Sequence, residues 1–370
     1  MNSLVIIETN PAGNIGIITI DNTKKLNVLS LEIIQEIRTT LYKWQDDDNI
    51  AAVILKSSSD KAFCAGGDIK QILNLAKKPQ ANRDNTSYFG HEYSLDYLIH
   101  TYTKPVVVFG NGIVMGGGIG LMSGASHRIV TEKTVMAMPE ITIGLFPDIG
   151  AGYFLHKCPG KIGYFLGLTG ARINGEDAIY ANLADYYAQE DQLQSIIEKI
   201  NALPLGKGKD NNLLISELLK SISITPPTSA LAASQTEIDE IICTESPQKT
   251  YEALSSYNSG NKLISKGADI ALAGSPLSFM VIFEQLKRSK NLSLIDDFRM
   301  EFHLAVNMTR HNDFDEGVSS LIIRKDNSPQ WLYRDIADIP ADAVTDLFNN
   351  TDSTLDNYIP DNGLNKDNSC

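Results

Sequence analysis

Glu140 and Asp148 stand in the stretch VMAMPEITIGLFPDIGAGY (135–153), each directly after a proline, with no lysine or arginine inside it. A carboxylate without a cationic partner keeps its lone pairs free, and burial among apolar neighbours raises its pKa. Two such groups could act as general acid and base, or one could attack an electrophile. The plainer reading makes Glu140 a cap and Asp148 a turn residue.

Two glycine loops precede this stretch. Gly116, Gly117 and Gly118 follow the apolar run VVVFG at a helix start, and FCAGGDIKQI places Gly66 and Gly67 ahead of Asp68, itself a candidate helix cap. Glycine costs helix stability, so a triple glycine needs a reason. Close approach of a ligand to backbone N–H groups is one, and tight packing of helix on sheet is another. Two N–H groups aimed at one oxygen would form an oxyanion hole for a thioester or other carbonyl. A dinucleotide fingerprint fits poorly. GNGIVMG has the spacing G-x-G-x-x-x-G, and the helix after it would carry five glycines.

Positioning these loops requires alternating strands and helices. LVIIET and IGIITI, split by NPAGN, read as a hairpin, and Ser30 opens a helix through LEIIQEIRTTLYKWQ. AAVILKS and KPVVVFG read as buried strands, HRIVTE and TVMAMPE as short ones, and YFGHEYSLDYLIHTY as a helix. The polar stretch 77–87 reads as a surface loop. This is an α/β core over residues 1–205, followed by a mainly helical region over 206–348 and a polar, flexible tail over 349–370.

Composition narrows the function. A net charge of -13 argues against a broad nucleic-acid surface, and no apolar run reaches membrane-spanning length. The N-terminal MNSLVIIETN has no basic region and reaches Glu8 early, which argues against a secretory signal or transit peptide, and the four cysteines have no metal-ligand spacing. A cytoplasmic protein with reduced thiols is expected.

KKLNVLS, KAFCAGGDIKQI, NGIVMGGGIGL and MPEITIGLFPDIGAGYFL, in this order, resemble the enoyl-CoA hydratase/isomerase (crotonase) superfamily. The glycine pair before Asp68, GLFPD, SPLSF (275–279), HNDFDEG (311–317) and SPQW (328–331) resemble its 3-hydroxyisobutyryl-CoA hydrolase branch. The resemblance implies a spiral of ββα turns and hydrolysis of a short 3-hydroxyacyl-CoA thioester, as in valine catabolism. It implies an oxyanion hole at Gly67 and Gly117, flanked by Gly66 and Gly116. Glu140 matches the catalytic glutamate, Asp148 the second acid and Glu92 a substrate contact. Lys24, Lys25, Leu26 and Asn27, with Asp68 and Ile69, match the region that contacts the CoA nucleotide. No metal or redox cofactor is required, since coenzyme A is part of the acyl-CoA substrate. A homo-oligomer with trimer-type contacts is also implied. Hydratases of this fold carry a second glutamate where this chain has Gly120, so double-bond hydration would lack half of its acid–base pair. An enoyl-CoA isomerase or hydratase on the same fold, or an acyl-CoA-binding protein without activity, stays an alternative. His91, His127 and His311 show no nucleophile to activate.

Overall fold

The computed structural model describes residues 3–77 and 81–360, with only the helical backbone over 81–85. The chain opens with β1 (Val5–Thr9) and β2 (Ile15–Ile20), paired antiparallel. The turn between them is built by Asn10, whose Oδ1 accepts from the amides of Asn14 and Ile15. Helix α1 (Leu31–Gln45) follows its predicted cap, Ser30, which accepts from the Ile33 amide. It buries Ile33, Ile34, Ile37, Leu41 and Trp44 against the sheet.

From there the chain winds in turns of two strands and a helical segment. Each turn lays one longer strand in a large sheet and one short strand in a small sheet. The first turn has β3 (Ala52–Ser57) and β4 (Ala62–Cys64), then α2 (Ile69–Ala76) and α3 (Ala81–His100). The second has β5 (Val106–Gly110), β6 (Ile113–Met115) and α4 (Gly117–Ser123). The third has β7 (His127–Thr131), β8 (Val135–Ala137) and a short helical turn Glu140–Ile143. With β9 (Ile173–Asn174) and β10 (Tyr186–Ala188), the orders are β1-β2-β3-β5-β7-β10 and β4-β6-β8-β9.

The large sheet is parallel from β2 onward and covered on both faces, as its uninterrupted apolar strands require. Val53, Leu55, Val106 and Val108 face α1 and the main core. Ile54, Val107 and Phe109 face Ile197, Ile200, Ile215 and Leu219 on the helices Leu193–Asn201 and Asn211–Ile222. In the small sheet β4, β6 and β8 run parallel side by side. Their carboxyl ends therefore lie together, and the loops leaving them meet there.

Beyond residue 206 the chain is mainly helical as far as Leu347. Phe279, Phe298 and Phe302 from this region share one apolar cluster with Phe63 and Tyr93. The change in secondary structure near residue 206 therefore marks no break in packing. No single helix among the described residues is long and apolar enough to cross a membrane.

Two expectations are corrected. The stretch 77–87, expected as a surface loop, is helical from Ala81 onward, while 78–80 lie outside the described residues. Its Asn, Asp and Ser residues favour turns locally, but Thr86, Tyr88 and Phe89 are buried and hold the helix to the core. The tail expected to be flexible from 349 is packed through Ile359. Leu355 and Ile359 are buried, Arg299 pairs with Asp356, and an Arg38 guanidinium N–H donates to the Tyr358 carbonyl. Residues 361–370 lie outside the described residues.

Candidate active site

The three loops leaving β4, β6 and β8 line one cavity of about 430 Å³. The first supplies Gly66 and Gly67, the second Gly116 and Gly117, and the third Glu140. Glu92 on α3 and Asp148, beyond the Glu140 turn, complete the polar lining. The C-terminal region closes the apolar wall with Ile270, Leu321 and Ile322. All four residues expected to carry catalysis, and Glu92, Gly66, Gly116 and Ile69 among the expected contacts, are thus brought together.

The glycines are required by crowding. A side chain on Gly117 would place its Cβ 2.6 Å from Glu92 Oε1, and that same point lies 3.5 Å from the Gly67 nitrogen. Gly116 combines a φ of +47° with a Cβ position 2.9 Å from Glu140 Oε1. Gly117 opens α4, where a first-turn amide has no partner inside the helix. Among the described residues, neither the Gly67 nor the Gly117 N–H meets an acceptor. Two unspent donors thus lie side by side beside two carboxyls.

Among the described residues, those carboxyls are buried and share no ion pair, and Glu140 Oε2 has no hydrogen-bond partner. Arg172 stands on the cavity wall but pairs with neither acid. Burial, and then the nearby Asp148, push the Glu140 carboxyl well above the usual carboxylate range. Burial also pushes Asp148 up, to about 6, while the Tyr93 hydroxyl, donating to its Oδ2 over 2.7 Å, pulls it down. Glu92 is raised by burial and by Asp148, Asp96 and Glu140. Burial and mutual repulsion both oppose full ionisation of these acids, and carboxyls this close titrate as a set rather than singly.

Three residues near the acids went unmarked in the sequence. Tyr93 fixes Asp148 from behind. Asp96 is buried, its Oδ2 lacks a partner, and it stands 2.9 Å from where a Cβ on Gly120 would lie. The space beside Gly120 is therefore closed by an acid from α3 that is itself outside the cavity lining. The signal was its spacing of four from Glu92, which puts both on one face of a helix. Glu301 is the third. Its Oε2 accepts from the Gly150 amide over 2.6 Å and its Oε1 from the Gly152 amide over 2.9 Å.

Asn27, in the expected nucleotide-contact segment, turns its side chain inward. Its side chain is buried and its amide donates to Ser57 Oγ and the carbonyls of Ala62 and Phe63, which leaves it a structural clasp. Lys25, Leu26 and Asp68 lie outside the cavity lining. Lys25 is exposed and pairs with Asp68 over 3.1 Å, while Asp68 caps α2 through the Gln71 amide. The Leu26 carbonyl accepts from the Ala65 amide, which ties this segment to the first glycine loop.

The histidines are structural. His311 caps the helix Asn312–Val318, His127 sits between Ser126 and Ser216, and His91 contacts Arg38 and Tyr358. The C-terminal motifs brace one another: Ser275 Oγ donates to Asp313, and the Leu332 and Gln330 amides donate to Asp313 and Glu316. Between them runs the π-helical segment Ser319–Arg324, which carries Leu321 and Ile322 to the cavity. No group of three or more His, Cys, Asp or Glu side chains among the described residues could hold a metal ion.

The chain is similar to several known proteins. The 3-hydroxyisobutyryl-CoA hydrolase, mitochondrial, of Danio rerio is 36% identical over 341 residues, covering 92% of this chain and 88% of that one. The protein of the same name from Gallus gallus is 36% identical over 342 residues, covering 91% and 86%. Among solved structures, a carnitinyl-CoA dehydratase from Mycobacterium thermoresistibile superposes with a TM-score of 0.87 at 30% identity, covering 96% of this chain and 98% of that one. The enoyl-CoA hydratase/isomerase family model matches residues 15–348, from the first parallel strand through the braced C-terminal motifs. With spiral, glycine loops and acid-bearing turn all inside that match, the chain belongs to the enoyl-CoA hydratase/isomerase family.

Proposed function

We propose that the protein hydrolyses 3-hydroxyisobutyryl-CoA, or a close short 3-hydroxyacyl-CoA, to the free hydroxy acid and coenzyme A. One observation carries this reading. Glu140 and Asp148 line the same cavity as two unspent N–H donors, while position 120 offers no acid to that cavity. The names of the relatives support the same substrate.

In this reading the thioester oxygen faces the N–H groups of Gly67 and Gly117, which stabilise the charge that builds as the carbonyl is attacked. Glu140 either attacks the carbonyl carbon, giving a mixed anhydride that water then opens, or takes a proton from the attacking water. The C–S bond breaks and the leaving thiolate takes a proton held by the buried carboxyls. Asp148 has Oδ2 engaged by Tyr93 and keeps Oδ1 for the substrate's 3-hydroxyl. Such an anchor discriminates against acyl groups lacking the hydroxyl, because it would be left unpaired. Glu92, beside Gly117, borders the acyl group, and Lys25, Leu26 and Asp68 offer the CoA nucleotide an outer surface.

The second reading is double-bond chemistry on the same fold, favoured by the likeness to the carnitinyl-CoA dehydratase. Incubating the purified protein separately with 3-hydroxyisobutyryl-CoA and crotonyl-CoA decides between them. Free thiol released from the first supports hydrolysis. Hydration of the second with no thiol from either sinks it. We also propose a homo-oligomeric form, checked by sedimentation, and a cytosolic location. The relatives above are named mitochondrial, and cell fractionation with an activity assay settles the compartment for this chain.

A further inference from the structure

Resting on the hydrolase reading, we propose that Glu301 and Gln285, both from the C-terminal helical region, are positioning residues that aim Asp148. The segment they hold is unusual. Ile149, next to Asp148, has a φ of +62°, and a β-branched residue rarely adopts that conformation unless its surroundings over-determine it. The surroundings here do so from both sides. Upstream, Gln285 Nε2 donates to the Pro147 carbonyl over 2.7 Å. Downstream, Glu301 takes the Gly150 amide on one oxygen and the Gly152 amide on the other. The two clamps are joined, since Gln285 Nε2 also donates to Glu301 Oε1 over 2.8 Å.

Three observations separate this from ordinary packing. Glu301 and Gln285 are fully buried, and Glu301 has no cation beside it among the described residues, so it does not serve an ion pair. A carboxylate offers a separate acceptor oxygen to each of the two amides, whereas a glutamine has one oxygen and would turn a donor NH2 on the other amide. The helix that carries Glu301, Leu294–Met308, also carries Phe298 and Phe302, which pack edge-on against Tyr93 at 6.0 and 6.5 Å. One helix therefore braces the backbone of the Asp148 turn and the ring of the tyrosine that holds its Oδ2. Glu301 and Gln285 thereby act on the reaction through Asp148 without lining the cavity themselves.

The test is a double-mutant cycle on thiol release from 3-hydroxyisobutyryl-CoA, with Glu301→Gln, Asp148→Asn and the pair. Glu301→Gln is expected to lower kcat by about 10- to 100-fold, the cost of misplacing a reacting group by about an ångström. KM should stay within about twofold, and Glu301→Gln should add nothing once Asp148 is already Asn. Multiplying effects in the pair, or an unchanged kcat in the single variant, would overturn the proposal. If Glu301→Gln does not fold, Gln285→Met, which keeps the volume and drops the donor, enters the same cycle with the same criterion. A substrate-free readout stands apart from the hydrolase reading: amide exchange at Gly150 and Gly152 should quicken in Glu301→Gln. If Asp148→Asn itself leaves thiol release unchanged, the role of Asp148 fails. Slow exchange in Glu301→Gln would then remove the clamp as well, and quickened exchange would keep it.

Discussion

The two halves of the cavity are built by opposite means. The donor half is backbone. Gly67 and Gly117 are set by short parallel strands and by main-chain bonds such as Leu29 to Gly66 and Gly116 to Ala137. The acid half is side chain: Tyr93 bonds Asp148 itself, while Gln285 and Glu301, more than a hundred positions away, bond the backbone on either side of it. A backbone site tolerates little because any added atom collides. A side-chain site is adjustable, because each support can be removed singly and its share measured.

The largest effect should come where the halves meet. Glu140→Gln keeps the shape but removes both nucleophile and base, so thiol release should fall by about 1,000-fold or more, with the fold intact by circular dichroism. Near-normal turnover would remove Glu140 from the chemistry. Next, Gly117→Ala tests the intolerance of the donor half. Its Cβ would press on Glu92 Oε1, and kcat should drop by about 100-fold, comparable to losing an oxyanion donor. Tyr93→Phe tests the acid half and should cost about tenfold. Donation by the hydroxyl favours the ionised form of Asp148, so its loss raises that carboxyl above about 6. The limb of the kcat/KM profile governed by Asp148 should move to higher pH.

The smallest effect is on stability. Burial holds Asp148 at about 6, against a usual 3.8, so the folded protein binds this proton more tightly than the unfolded chain does. Stability is therefore lost as pH rises from about 4 through 6. Asp148→Asn removes that cost and should melt about 2–5 °C higher than the wild type at pH 8. The gap should close near pH 4, as differential scanning calorimetry would show.

The same contrast explains what could be read from the chain. The donor half was legible because its glycines follow their strands directly, and a glycine pair beside an apolar run is a local signal. Glu140 and Asp148 were legible for the same reason. Tyr93, Gln285 and Glu301 were not, since nothing in their own neighbourhoods marks a partner that distant. The inward direction of the Asn27 side chain was not legible, because the sequence does not say which way a side chain points in a left-handed turn. The stretch from Ala81 and the segment through Ile359 were misread from polar composition. A few buried side chains, Tyr88 and Phe89 in one and Leu355 in the other, decide their structure.

The central claim is that the two halves act on one 3-hydroxyacyl thioester, with Asp148 reading the hydroxyl. It is tested most directly by comparing thiol release from 3-hydroxyisobutyryl-CoA with that from isobutyryl-CoA, which differs only in lacking that hydroxyl. The account predicts a kcat/KM at least about 1,000-fold higher for the hydroxylated substrate, reduced to a small ratio by Asp148→Asn. Equal rates for the two substrates, or no thiol from either, would contradict it.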